Sequence, residues 1–545
     1  MTRLYLFLVF SFVFTSLSAQ PLNAEQKGAF DQFVNELIKE GSPGLAVGVV
    51  RGGAIVYERY AGLADLDSER VIDQQTSFNI ASNGKQFTAW AVLNLIDQGK
   101  LNLEDDFRTI MPEILPDFTG QISIQNLLNH SSGIRDVYDL WSMQGLVWWK
   151  TAGLTNARAL KLLSSQTSVQ FEPGSQFSYS NSNYLILAEI VSRVTEQSFA
   201  DYVQKLVQSS GLASSFFLDD HKQEIPTVAK PYFNFGDWYY YKWQSSLHGD
   251  GAFFTTLPDQ LRWEQQIQNA KSTLLATAQK PLAIAEEVRY GFGLDFGEYN
   301  GVPYRYHEGA TGAWKASFLR FPSLALSIVV MTNSGAVYPP GLSRQMADVL
   351  LEEQGIIAEA IQVTPETISD DLSLDEIQGT YALENGFYFR IRLDEDQILL
   401  ERSNRDAIVI EQEQGNLFHQ VDDPDFKQYF EKSADGGLTL TAYYPTHNPY
   451  TLTKTIQVPL DFDHNGLVGK YYNADLDVDL RINYAENNQY KLVFEGEKRY
   501  KREAQLISPQ RMKASGYHLR FDTEGEKAVI RLSTDRAQDV LFTKL

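Results

Sequence analysis

Cysteine is absent from the 545 residues of this chain. The protein therefore has no disulfide bonds, and no lipid can be attached to it through a cysteine. Positive charge is also scarce, since 47 Lys and Arg residues stand against 69 Asp and Glu residues and give a formal net charge of −22. Such a chain is a poor partner for nucleic acid or for an anionic membrane surface, and we expect neither.

The first 19 residues, MTRLYLFLVFSFVFTSLSA, contain one early arginine, a run of apolar residues and then small residues that end at Ala19. This order is typical of a secretory signal peptide. A membrane anchor is the alternative, but the apolar run is short for a bilayer span. The sequence thus predicts a signal peptide at 1–19, export to the periplasm and no membrane span after cleavage.

Residues 22–357 show the pattern of an α/β (α+β) unit. An amphipathic helix within residues 25–40 precedes a hairpin in LAVGVVRGGAIVYERY, and a second hairpin lies far downstream in WKASFLRFPSLALSIVVMTN. Between them, residues 85–275 are mostly helix and loop. We expect the two ends of the unit to form one antiparallel sheet flanked by helices, with an inserted helical subdomain and a cleft between the two parts.

The last third of the chain contains an internal repeat. After a polar linker at 358–374, IQGTYALENGFYFRIRL begins like LVGKYYNADLDVDLRIN, which lies 90 residues further on. The ends TLTKT and LFTKL match at the same offset. The repeat predicts two tandem antiparallel β-barrel domains, at 375–460 and 461–545. The sequence leaves open whether these barrels reach the cleft or only brace the first unit.

Two polar residues stand in an otherwise apolar stretch, IASNGKQFTAW. Ser82 and Lys85 are three positions apart, so both side chains reach the same side of a first helical turn. A buried lysine can lose its proton near neutral pH and can then activate a serine hydroxyl as a nucleophile. The alternative is a helix cap followed by a solvated lysine.

Two further elements carry side chains suited to the same chemistry. The segment YSN at 179–181 precedes the apolar helix LILAEIV. Its tyrosine can move a proton, and its asparagine can hold a substrate carbonyl. The segment HEG at 307–309 begins the last hairpin, where the glycine lets a substrate lie against a strand edge and the histidine supplies a donor.

In this order, SxxK, Tyr-x-Asn and a variant of K-T-G resemble the serine β-lactamase and penicillin-binding-protein superfamily. The stretches IQNLLNHSSGI, YGFGL and GDGAFFTTLPDQLRW extend the resemblance over nearly all of residues 25–355. The Tyr-x-Asn form is most similar to the branch of class C β-lactamases, D-alanyl-D-alanine carboxypeptidases, D-aminopeptidases and esterases. The two C-terminal domains resemble the lipocalin-like barrels of its D-aminopeptidases.

The resemblance implies an acyl-enzyme mechanism that needs no metal and no other cofactor. Ser82 would attack a carbonyl carbon of a small-molecule or peptide substrate. Lys85 and Tyr179 would move the proton of Ser82 to the leaving group, and Tyr179 would activate the water that releases the acyl group.

The resemblance also implies the groups that hold the substrate. Asn181 would bind its amide or ester chain, and His307 would replace the lysine of K-T-G. Gly309 would keep the strand edge open, and the backbone N–H groups of Ser82 and Ala310 would form the oxyanion hole.

Glu308 departs from the superfamily pattern, which offers a hydroxyl to a substrate carboxylate at this position. A glutamate and a neutral histidine there predict a preference for substrates that lack a carboxylate next to the scissile bond. Gly84, inside SxxK, is a second departure and weakens the start of a helix.

The remaining candidates are secondary. His130 and His248 are interpreted as structural residues, and the aromatic runs at 140–149 and 231–243 either line the pocket or pack on the helical subdomain. The sequence as a whole predicts an exported serine hydrolase that cleaves an ester or amide, with a D-amino-acid-containing peptide as one candidate substrate. The alternatives are a β-lactamase or D-alanyl-D-alanine carboxypeptidase, and a penicillin-binding sensor without turnover.

Overall fold

A computed structural model of the chain describes most of its length. The described residues are 21–269, 272–284, 287–357, 364–383, 387–402, 405–433, 436–444, 447–459 and 461–545. The predicted signal peptide at 1–19 and the first part of the predicted linker, 358–363, lie outside them. Within the described chain, no helix is long and apolar enough to cross a membrane.

An eight-stranded antiparallel sheet forms the centre of the first unit and joins its two ends. In spatial order its strands are Leu282–Ile284, Glu287–Gly291, Leu294–Tyr299, Val302–Thr311, Trp314–Phe321, Leu326–Thr332, Leu45–Arg51 and Ala54–Ala61. The N-terminal strand Leu45–Arg51 pairs with Leu326–Thr332 from Leu45↔Thr332 to Arg51↔Leu326. Both predicted hairpins and the sheet that unites them are therefore confirmed.

The strand Leu45–Arg51, which lies next to the edge strand Ala54–Ala61, is buried on both faces, and this explains why its sequence is almost entirely apolar. Val47 and Val49 pack in the cluster that contains the terminal helices Ala24–Leu37 and Pro339–Glu352. On the opposite face, a Cβ on Gly48 would come within 2.7 Å of Leu261, so the glycine lets the helix Leu257–Gln268 approach the sheet closely. The terminal helices thus cover one face, and the inserted subdomain covers the other.

The inserted subdomain is mostly helical, with small sheets at its edge. Its helices are Lys85–Asp97, Ile124–Leu128, Val137–Met143, Asn156–Ser164, Asn181–Thr195, Phe199–Ser209, Leu257–Gln268 and Thr273–Ala278. Its small strands are Leu63–Asp65, Arg70–Val71, Ser77–Asn79, Phe216–Phe217, Tyr232–Asn234, Trp238–Tyr240 and Phe253–Thr256. The helix Lys85–Asp97 lies at its centre, since ten of its residues are buried.

Two closed eight-stranded antiparallel barrels follow the short helix Leu374–Ile377, as predicted. The strands of the first barrel are Gly379–Ala382, Tyr388–Asp394, Gln397–Arg402, Arg405–Gln414, Leu417–Gln420, Lys427–Lys432, Leu438–Tyr444 and His447–Lys454. Those of the second are Gly469–Asn473, Val478–Tyr484, Gln489–Glu495, Arg499–Ser508, Arg511–Ala514, Tyr517–Glu524, Lys527–Ser533 and Val540–Lys544. The predicted fold class is confirmed, whereas the domain boundaries stay predictions.

The residues that reveal the repeat are those that close each barrel. In the first barrel Tyr381 pairs with Lys454, which joins the first strand to the last, and in the second barrel Tyr471 pairs with Lys544. The Tyr381 hydroxyl donates to a backbone carbonyl four residues earlier at 2.8 Å, and the Tyr471 hydroxyl does the same at 3.1 Å. The tyrosine and lysine that match in the sequence repeat are therefore the residues that join the first and last strands of each barrel.

The second barrel is docked on the helical subdomain. Gln144 makes two hydrogen bonds to this barrel. Its side-chain amide donates to the Leu476 carbonyl at 2.8 Å, and its backbone carbonyl accepts from Lys498 N at 3.0 Å. The apolar core is continuous across this junction, where Met143 and Val478 belong to one buried cluster. The second barrel also borders the cleft, since its residue Arg536 is part of the cleft lining.

Candidate active site

Ser82 lies in a 3₁₀ turn, Ala81–Gly84, that leads into the helix Lys85–Asp97. It caps nothing, because neither the turn nor the helix has a side-chain capping hydrogen bond at its start. The alternative of a helix cap is therefore wrong. Ala81, the residue before Ser82, has a φ of 48° and is held there by a hydrogen bond from its N–H to Asn79 Oδ1 at 2.8 Å. Such strained backbone is common at functional sites.

Two glycines permit the close packing around this turn. A Cβ on Gly84 would come within 2.8 Å of the Phe253 Cβ, which explains why glycine stands inside SxxK. A Cβ on Gly309 would come within 2.3 Å of the Ile80 carbonyl oxygen. The strand Val302–Thr311 can therefore lie directly against the turn that carries Ser82.

Lys85 is completely buried and donates to three acceptors. Its Nζ lies 3.2 Å from Ser82 Oγ, 2.8 Å from Asn181 Oδ1 and 2.6 Å from the Asp250 carbonyl oxygen. Burial lowers the pKa of Lys85 to about 7, and this effect outweighs the opposing influence of the Asp250 carboxylate. A substantial fraction of Lys85 is therefore neutral near pH 7 and able to take a proton from Ser82.

Tyr179 lies beside the same pair. Its ring centre is 4.9 Å from Lys85 Nζ, and its hydroxyl is hydrogen-bonded to Ser82. Burial raises the pKa of Tyr179, although the hydrogen bond to Ser82 opposes the shift. Tyr179 is thus a protonated phenol at neutral pH. Of these two groups only Lys85 is free to accept a proton there, and Tyr179 carries one that it can donate.

Asn181 orients Lys85. Its Oδ1 accepts from Lys85, while its Nδ2 donates to Asp136 Oδ2 at 2.8 Å. The fully buried Asp136 also accepts from the Asn181 N–H at 2.6 Å, which fixes the first residue of the helix Asn181–Thr195. One function of this amide, which the sequence did not indicate, is to hold the lysine at the serine.

His307 faces the cleft from the strand Val302–Thr311 and is almost fully buried. Its Nδ1 lies 2.8 Å from the Glu308 carbonyl oxygen, which can only accept, so Nδ1 carries the proton. Its Nε2 then accepts from the Tyr290 hydroxyl at 2.9 Å. Burial lowers the pKa of His307 to about 3, and the charge of Lys85 adds to this effect. His307 is thus a neutral residue with a fixed orientation.

Glu308 lines the cleft but is not an unpaired charge. Its carboxylate accepts from Arg344 on the helix Pro339–Glu352 at 2.8 Å. The repulsion of substrate carboxylates expected from the sequence is therefore largely offset. The sequence did not reveal this pair, because the two residues lie on separate elements.

The secondary candidates take up supporting positions. His130 is buried behind Tyr179, with 4.3 Å between ring centres, and its Nδ1 accepts from the Ser180 N–H at 3.2 Å. It therefore supports the YSN segment. Each aromatic run contributes to the cleft, through Trp148 and Trp243 respectively.

The cleft has a volume of about 580 Å³ and lies between the sheet, the helical subdomain and the second barrel. It brings together Ser82, Tyr179, Asn181, His307, Glu308, Gly309 and Ala310, all predicted from the sequence, with Lys85 directly behind Ser82. It also contains Asp295 and Arg536, which sequence reasoning missed. Burial raises the pKa of Asp295 to about 7. No group of three or more acidic or histidine side chains in the described residues is placed to hold a metal ion.

Comparison with known proteins identifies the family. The Beta-lactamase family model matches residues 30–351, which is more than half of the chain, and the chain therefore belongs to the β-lactamase family. It is 26% identical over 413 residues to Protein flp of Staphylococcus aureus (strain N315), covering 71% of this chain and 80% of that protein. It is 27% identical over 308 residues to a D-aminopeptidase of Brucella canis, covering 53% of this chain and 56% of that protein.

Solved structures show the same fold at lower identity. The octameric penicillin-binding protein homologue from Pyrococcus abyssi is similar with a TM-score of 0.56 and 20% identity, covering 78% of this chain and 100% of that one. A crystal structure of SurE has a TM-score of 0.53 and 20% identity, covering 79% and 99% of the two chains.

Proposed function

We propose that this chain is an exported serine hydrolase that cleaves an ester or amide through an acyl-enzyme on Ser82. The observation that carries the proposal is the 3.2 Å contact between Ser82 Oγ and Lys85 Nζ, an amine whose pKa burial lowers to about 7. Membership of the β-lactamase family supports the reaction class. The apolar run before Ala19 supports export to the periplasm.

In the acylation step, Ser82 Oγ bonds to the substrate carbonyl carbon while its proton moves to the neutral Lys85 Nζ. Collapse of the tetrahedral intermediate breaks the bond to the leaving group, which takes a proton from the Tyr179 hydroxyl, and Lys85 returns a proton to Tyr179. The backbone N–H groups of Ser82 and Ala310 stabilise the oxyanion, and Gly309 supports this assignment because it brings their two elements into contact.

Deacylation follows the acylation steps in reverse, with water as the nucleophile. Water attacks the acyl carbon and loses a proton to the Lys85–Tyr179 pair, and Ser82 Oγ leaves with a proton from the same pair. The D-aminopeptidase among the relatives supports a D-amino-acid amide or peptide as one substrate class to be tested.

A substrate panel tests this function. Purified protein is assayed with p-nitrophenyl acetate, nitrocefin and a D-alanine p-nitroanilide, alongside Ser82→Ala and the control Ser209→Ala, an exposed serine on another helix. We expect steady turnover of an ester or amide in wild type and in Ser209→Ala, and loss of at least about 10³-fold in Ser82→Ala. A burst of one product equivalent without turnover would instead favour the sensor alternative, and equal activity in Ser82→Ala would rule out this nucleophile.

A further inference from the structure

A loop of the second barrel enters the cleft. It connects the strands Lys527–Ser533 and Val540–Lys544, and Arg536 at its tip lines the same cleft as Ser82. The guanidinium carbon of Arg536 lies 4.8 Å from the centre of the Tyr179 ring. A residue more than 450 positions after the nucleophile thus reaches the reacting groups.

The backbone of this loop is held in place by the helical subdomain. The Asp139 carboxylate accepts from Thr534 Oγ1 at 2.7 Å and from the Arg536 N–H at 2.9 Å. The Arg536 carbonyl accepts from Asp136 N at 3.0 Å, and the Gln538 N–H donates to Gln170 Oε1 at 2.8 Å. The position of Arg536 therefore does not depend on its own side chain.

The Arg536 guanidinium has no hydrogen-bond acceptor among the residues that the structure describes. Within the described chain, the Arg536 side chain makes no hydrogen bond and no ion pair, and it is exposed to the cleft. Three other cations of the described chain that lie in or beside the cleft already have hydrogen-bond partners. Lys315 donates to two backbone carbonyls at 2.7 and 3.1 Å, Arg344 binds Glu308, and Lys85 binds its three acceptors.

A planar guanidinium with free donors binds a carboxylate through two parallel hydrogen bonds. The contact with the Tyr179 ring restricts the Arg536 side chain before a ligand arrives, which reduces the entropy lost on binding. Asp136 and Asp139 lie near Arg536 and favour its charged form. Asp136 accepts hydrogen bonds at both carboxylate oxygens and Asp139 accepts two at Oδ2, and among the described residues neither accepts one from the guanidinium.

We propose that Arg536 binds a carboxylate on the substrate, so that the second barrel makes the cleft selective for acidic esters or amides. This inference rests on the proposed hydrolase function and adds its substrate class. Arg536 is a specificity residue in this account. Because it also touches Tyr179, its removal can slow all substrates, and only the ratio between an acidic and a neutral substrate reports on carboxylate binding.

The kinetic test compares mono-p-nitrophenyl esters of succinate, glutarate and adipate with the p-nitrophenyl esters of butyrate, valerate and hexanoate. We expect wild type to prefer at least one acidic ester over its neutral match by about tenfold or more in kcat/KM. Arg536→Gln should remove that preference, and Arg536→Lys should retain part of it. The control Arg499→Gln removes an exposed cation elsewhere on the same barrel and should keep the wild-type ratio.

A binding test separates this inference from the hydrolase proposal. Calorimetry on Ser82→Ala compares glutarate monoamide with valeramide, with and without Arg536→Gln, and requires no turnover. We expect tighter binding of the acidic amide, lost in the double variant and weakened by added salt. The inference is overturned if no chain length shows an acidic preference, or if Arg536→Gln leaves the ratio and the binding unchanged. Failure of the hydrolase proposal would appear separately, as absence of turnover in wild type.

Discussion

Lys85 Nζ lies 3.2 Å from Ser82 Oγ, and the lysine is held there by Asn181 and by the Asp250 carbonyl. This arrangement places beside the serine a lysine that is buried, oriented and partly neutral near pH 7. We therefore expect activity to depend on the charge of Lys85, on the packing against the turn that contains Ser82, and on the charges along the strand Val302–Thr311.

The rate should follow the deprotonation of Lys85. Because only neutral Lys85 can accept the Ser82 proton, we expect kcat/KM to rise with pH and to level off above an apparent pKa near 7. Asp295 lines the same cleft, and its pKa is also about 7, so the profile is measured in wild type and in Asp295→Asn. The rising limb should persist in Asp295→Asn, and its disappearance there would assign it to the aspartate.

Protein stability should depend on the same proton. The pKa of Lys85 is about 7 in the folded protein, against an ordinary value of 10.5. Below pH 7 both states carry the proton, and the buried charge costs stability. Between those pKa values the unfolded state binds more protons than the folded state, so the free energy of unfolding rises with pH.

The control is Lys85→Met, which has no titratable side chain at this position. Relative to the variant, wild type should gain about 2 kcal/mol in the free energy of unfolding between pH 7 and pH 9, measured by urea denaturation. A constant difference between the two proteins over this range would mean that Lys85 keeps its ordinary pKa.

Gly309 should be intolerant of a side chain. The added Cβ of Gly309→Ala would meet the Ile80 carbonyl oxygen at 2.3 Å and push the strand away from the Ser82 turn. We expect a loss of about 10²-fold in kcat/KM and of about 1–3 kcal/mol in stability. Gly28→Ala is the control, since a Cβ there meets nothing within 4 Å in a helix, and it should be neutral or slightly stabilising.

Glu308 and Arg344 should act on substrate charge as a pair. Because Arg344 offsets the carboxylate, the double variant Glu308→Gln/Arg344→Gln should change the preference between neutral esters and esters with a carboxylate next to the scissile bond by less than about threefold. Arg344→Gln leaves Glu308 unpaired and should disfavour the acidic ester. The structural argument fails if the double variant shifts this preference several-fold, or if Arg344→Gln alone leaves it unchanged.

The architecture could be predicted from the sequence because short stretches of the chain show the patterns of its strands and its repeat. The apolar strand Leu45–Arg51 and its distant partner Leu326–Thr332 were recognisable as hairpin strands. The barrels were recognisable because the tyrosine and lysine that close each one recur 90 residues apart. Three short motifs likewise indicated the residues that the cleft brings together.

The remaining features depend on contacts between distant segments. The interpretation of Ser82 as a possible helix cap was wrong. The turn that contains Ser82 packs against Gly309 and Phe253, and both residues are far from it in sequence. Arg344 and Arg536 carry no local signal, since an arginine on a helix or in a barrel loop is ordinarily solvated. Only the folded chain shows that they meet the cleft.

The most direct test of the central claim is to identify the residue that a mechanism-based probe modifies. The full chain is treated with a fluorophosphonate, and the adduct is located by peptide mass spectrometry. We predict one adduct, on Ser82, formed faster as the pH rises through about 7 and lost in Lys85→Ala. An adduct on a different serine, or ester hydrolysis that persists while Ser82 stays unmodified, would contradict the account.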